Sequence, residues 1–128
     1  MAYIIISTTL DTCLCEKAAK HLRSLGHRVD ITPDANELLR LFEIEQPDVL
    51  LFGFLLRGMT SYQVREELHD RYPDMSTQLV WMVSNNKNSS SPGYSWDWTD
   101  ISTFLIAPYT EWHIILIIEQ LLYRTVLK

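Results

Sequence analysis

The sequence predicts an α/β domain, a five-stranded parallel sheet in the order 2-1-3-4-5 with helices on both faces, and three observations predict it. Val49 to Leu56, VLLFGFLL, is apolar without alternation, as in a strand covered by helices on both sides. Short apolar or β-branched runs alternate with helix-spaced stretches along the whole chain, and right-handed crossovers then leave few topologies. At 128 residues and 47% hydrophobic composition, the chain suits one domain, 1–128, with an ordinary core.

The elements follow in order. Tyr3 to Ser7 is the first strand, and Asp11 to Leu25 is a helix with Leu14, Ala18, Leu22 and Leu25 at helical spacing, closed by Gly26. Arg28 to Thr32 is the second strand, and Asp34 caps a helix carrying Leu38, Leu39, Leu41 and Phe42 up to Pro47. The third strand leads into a helix from about Ser61, where Thr60 and Gln63 have capping-box spacing and Val64 and Leu68 face inward. Gln78 to Ser84 and Thr103 to Ala107 are the fourth and fifth strands, and the last helix runs from about Glu111 to Leu127. Between these strands lies NNKNSSSPGYSWDWTDIS, whose Asn, Ser, Gly and Pro oppose a regular helix. The fourth helix is therefore expected to be short or replaced by a loop.

Composition excludes several functions. Eleven Lys and Arg against sixteen Asp and Glu give a net charge of −5 without long runs of either sign, which argues against nucleic-acid binding. No stretch reaches the ~20 apolar residues of a membrane span, and the first residues do not read as a signal peptide, so a cytoplasmic location is expected. Cys13 and Cys15 project to different sides of a helix and lack companion ligands, so one thiol is expected inside and one outside. His21, His27, His69 and His113 are scattered and suggest no metal or catalytic set.

In an open parallel sheet, ligands meet the carboxyl ends of the strands. Those ends supply Ser7, Thr8, Gly53, Ser84 and Ala107. PDVLLFGFLLRGMTS, with the spacing of these ends, resembles the receiver domains of bacterial response regulators over essentially the whole chain. The resemblance implies a flavodoxin-like, CheY-like fold. It also places the magnesium-binding acid pair on Ser7 and Thr8, the phosphoacceptor aspartate on Gly53, the strand-four hydroxyl on Ser84, the switch aromatic on Phe104 and the lysine of a Lys-Pro pair on Ala107, before Pro108. Ser84, Phe104 and Pro108 keep the family pattern, whereas Ser7, Thr8, Gly53 and Ala107 do not.

Phosphoryl transfer to such a site needs a carboxylate nucleophile, oxygen-ligated Mg²⁺ and a cation for the product. None of the four departing residues supplies a charge. The expectation is a degenerate pseudo-receiver, not an enzyme, without metal or cofactor, and with Gly53 kept for close backbone approach or an unusual torsion. Ser7, Thr8 and Ser84 are expected to satisfy one another or water in a small crevice. Asp11 reads as a helix cap, and Asp48 begins its strand at the far end of the sheet.

In the last helix, Ile114, Ile115, Ile118, Leu121 and Leu122 already form an inward face. Trp112, Leu116, Tyr123 and Leu127 form a second stripe, which with Tyr94, Trp96 and Trp98 of the preceding loop suggests a surface for a protein partner or a homodimer. The resemblance points the same way, because receivers often associate through their last elements. The aromatic loop folding back within one chain would cover the same stripe. The alternative function is a flavodoxin-like small-molecule or cofactor-binding domain, with an apolar pocket near the 85–102 loop and Trp81, Trp96 and Trp98 as walls.

Overall fold

β1 (Tyr3–Ser7) and β3 (Val49–Gly53) are buried along their whole lengths and lie side by side, with Ile4 to Ser7 in parallel register with Val49 to Phe52. The computed structural model describes residues 2–9, 12–53, 56–83, 103–106 and 109–127, except for the side chains at 61–62, 83, 103–104, 106 and 124–127. Around the central pair lie α1 (Thr12–Ser24), β2 (Arg28–Ile31), α2 (Ala35–Ile44), α3 (Ser61–Arg71), β4 (Gln78–Val83), β5 (Thr103–Ile106) and α4 (Glu111–Leu127). The strands form one parallel sheet in the order β2-β1-β3-β4-β5. The expected short or missing fourth helix falls at 84–102, outside the described residues.

Alternation along each strand divides the core into two layers. Ile4, Ile6, Val49, Leu51, Val80 and Met82 pack against α1 and α4, while Tyr3, Ile5, Leu50, Phe52, Leu79 and Trp81 pack against α2 and α3. Each of these large side chains contributes ~1.5–3 kcal/mol on full burial. Cys15, Ala18, Ala19 and Leu22 form the inner face of α1, with Cys13 exposed and Cys15 buried. Leu25 departs from the expected stripe and is exposed, because the helix has already ended and Gly26 turns the chain at φ 95°.

The caps have local causes. Asp34 accepts the backbone N–H groups of Asn36 and Glu37, which starts α2. Thr60 and Gln63 form a reciprocal capping box at the start of α3. At the open edge of the sheet, Arg28 and Thr32 donate their N–H groups to the carbonyls of Ala2 and Ile6, so Val29 between them turns its carbonyl outward. The Arg23 guanidinium covers that carbonyl, donating from Nη2 at 2.7 Å and from Nε at 3.3 Å.

Tyr3 sits at the amino-terminal end of the sheet. Its hydroxyl donates to Asp30 at 2.6 Å, and the Arg28 guanidinium lies 3.7 Å from its ring centroid. Burial, followed by the bond to Asp30, pushes the Tyr3 phenol up to about 12. The folded state therefore keeps this proton after the unfolded chain has released it near pH ~10. The stabilisation is complete below pH ~10 and is lost as pH rises towards ~12, by on the order of 2 kcal/mol. Urea denaturation across this window is expected to show the decline, and Tyr3→Phe is expected to flatten it relative to the wild type.

Candidate functional site

The carboxyl ends of β1 and β3 are built by the same alternation. Val49 and Leu51 enter the α1–α4 layer, so a side chain at residue 53 would enter it too. Thr8 already occupies that volume. A Cβ placed on Gly53 would meet Thr8 Oγ1 and would lie 2.8 Å from Thr8 Cβ, inside any tolerable contact. Gly53 is thus required by the close approach of Thr8, which is itself buried.

Ser7 does not join this pair. It follows Tyr3 and Ile5 by alternation onto the α2–α3 face, in register with Phe52. Its Oγ is buried and makes no hydrogen bond among the described residues. Ser7 and Thr8 therefore do not satisfy one another, because successive strand residues point to opposite faces, and the expected third partner, Ser84, lies outside the described residues. Ser7→Ala removes this hydroxyl from an apolar layer at nearly constant volume and is expected to change stability by no more than ~1 kcal/mol in urea denaturation.

Ser84 and Ala107 lie outside the described residues, as do Tyr94, Trp96, Trp98, Pro108 and Asp11. The backbone of Phe104 registers against Trp81 in β5, and its side chain lies outside the description. Asp48 lies at the far end of the sheet, where Oδ2 accepts the Tyr3 N–H at 2.8 Å and its carbonyl accepts the Gln78 N–H at 2.9 Å. That position cannot serve the Thr8–Gly53 end. Among the described residues, no three His, Cys, Asp or Glu side chains come together in a way that could hold a metal ion.

The second candidate surface lies on α4. Ile114, Ile115, Ile118 and Leu121 are buried against α1 and the sheet. On the outward side, Trp112, Leu116 and Tyr123 are 56%, 57% and 65% exposed. The Trp112 indole lies edge to face with the His21 imidazole at 5.3 Å. Leu116, Glu119, Gln120 and Tyr123 line a surface groove of about 500 Å³. Leu127 is part of α4, with its side chain outside the description.

His27, one of the scattered histidines, ties α4 to the sheet. Its Nδ1 accepts the Ala2 N–H at 3.2 Å, which leaves Nε2 to donate to Glu119 at 3.0 Å. Nothing in local sequence pairs residues 92 positions apart. Trp81, expected as a pocket wall, is buried in the α2–α3 layer and stacks on Phe52 at 5.5 Å, while the other expected walls, Trp96 and Trp98, lie outside the described residues.

Neither a protein-family model nor a curated protein sequence matches the chain. Solved structures do. A response regulator receiver domain protein from Clostridium thermocellum superposes with a TM-score of 0.75 at 16% identity, over 99% of this chain and 98% of that one. The fold is that of a response-regulator receiver domain. The signal receiver domain of an HD domain-containing protein from Pseudomonas fluorescens Pf-5 matches at a TM-score of 0.74 and 17% identity, over 95% of this chain and 87% of that one. NtrX from Brucella abortus matches at 0.76 and 17% identity over 98% of this chain, which spans only 28% of NtrX. In the receiver fold of this chain, the carboxyl-end crevice carries the Thr8–Gly53 contact, and the outward face of α4 carries the exposed aromatic and aliphatic side chains. No helix among the described residues is long and apolar enough to cross a membrane.

Proposed function

We propose that this chain is a non-phosphorylatable pseudo-receiver, a regulatory module that works by binding protein through α4 and the aromatic loop before β5 rather than by catalysis. The observation that carries this reading is the occupation of the residue-53 side-chain space by Thr8. In the family that the sequence resembles, that space belongs to the phosphoacceptor carboxylate. With Gly53 there is no nucleophile, Ser7 and Thr8 bring no charge to hold Mg²⁺, and Ala107 brings none to pair with a phosphoryl group. The exposed Trp112, Leu116 and Tyr123 support the interaction part, because large apolar side chains grouped on one helix face commonly mark a contact.

The test is incubation with acetyl phosphate or beryllofluoride in the presence of Mg²⁺, followed by intact-mass measurement and tryptophan fluorescence. The expected result is an unchanged mass and spectrum. A stoichiometric, hydroxylamine-sensitive phosphoryl adduct would overturn the reading.

A further inference from the structure

Beside the outward stripe of α4, helices α1 and α4 leave an open groove of about 340 Å³, lined by Lys17, Lys20, His21, Glu111, Trp112 and Ile115. Its charge is unlike that of the whole chain. Lys17 and Lys20 are exposed and make no ion pair among the described residues, whereas Arg23 of the same helix is engaged by the Val29 carbonyl and Arg28 by Glu45. Glu111 stands in the first turn of α4, where the helix amino terminus offsets its charge. Two exposed lysines therefore flank an exposed indole on a chain of net charge −5.

We propose that this groove binds an acidic segment of a partner protein carrying one apolar anchor residue. Carboxylates would pair with Lys17 and Lys20, and the anchor would lie against Trp112 and Ile115. The inference rests on the interaction-module reading and names the chemistry of its occupant. A small molecule fits less well, because the groove is open and such sites enclose most of their ligand. Anionic membrane surfaces recruit clusters of about 4–8 cations, more than this groove offers.

The test is a fluorescence-anisotropy titration of the full chain with a fluorescein-labelled peptide of alternating Glu and Leu around a central Phe. Controls replace every Glu by Lys, or Phe by Ser. Saturable binding is expected for the acidic Phe peptide alone, weakening as salt is raised. Lys17→Glu with Lys20→Glu, and separately Trp112→Ala, are expected to weaken it about tenfold or more. Arg40→Glu on α2 combined with Arg71→Glu on α3, which changes net charge as much as the lysine double variant does, together with far-ultraviolet circular dichroism for all variants, controls for net charge and folding. Equal binding of the lysine peptide, or equal losses from the arginine and lysine double variants, overturns the proposal, as does a wild-type dimer that the peptide does not compete apart. Absence of peptide binding by a chain inert to phosphodonors overturns this inference alone, whereas a phosphoryl adduct strikes the pseudo-receiver reading and leaves the titration to decide the groove.

Discussion

Gly53→Asp is expected to destabilise the domain by roughly 3 kcal/mol or more, and not to create a phosphoryl acceptor. The new Cβ would lie 2.8 Å from Thr8 Cβ, so one of two central strands must shift or Thr8 must leave its place. Overpacking of this kind typically costs about 1–3 kcal/mol, and a carboxylate placed among buried neighbours adds a desolvation penalty. Thr8→Ala would not relieve the clash, since the offending Cβ remains. Thr8→Gly would, and the double variant Thr8→Gly with Gly53→Asp is expected to recover at least ~1 kcal/mol relative to the sum of the two single effects. Urea denaturation of the four proteins measures this coupling. Wild-type stability in Gly53→Asp would show that Thr8 yields freely and that the site accepts a side chain.

Leu116→Glu is the second large effect, expected in association rather than in folding. Leu116 is more than half exposed in the middle of the α4 stripe, so a carboxylate there stays hydrated in the free chain. In a contact it must be desolvated, and the lost apolar burial alone corresponds to ~1.5–3 kcal/mol, or about ten- to a hundredfold in affinity. Sedimentation across a dilution series, or capture of a native partner, is expected to show that loss with an unchanged circular dichroism spectrum. A wild type that stays monomeric at high concentration, together with an unfolded Leu116→Glu, would instead mean that the stripe is covered within one chain.

Much of the layering was legible in the sequence because burial leaves a periodic trace. The unbroken run from Val49, the Asp34 cap and the Thr60–Gln63 box each correspond to an observed element or bond. The inward stripe of α4 was legible at Ile114, Ile115, Ile118 and Leu121 for the same reason. The absence of charge at the strand ends could also be read directly from residue identity. What the sequence did not reveal depends on contacts between distant residues. Thr8 filling the space beside Gly53, His27 reaching Glu119, and Lys17 and Lys20 standing beside Trp112 all join elements far apart in the chain. Ser7 and Thr8 illustrate a finer limit. As neighbours in sequence they suggest one crevice, yet the pleat sends them to opposite faces.

Arg23 also shapes what kind of assembly this protein can enter. A free carbonyl on a terminal strand is an invitation to edge-to-edge polymerisation, because another chain can extend the ladder with little regard for its side chains. At Val29 that invitation is withdrawn from within, by a guanidinium projecting from the neighbouring helix. On this edge of the sheet, backbone templating is thereby closed at Val29 by a side chain of the chain's own first helix.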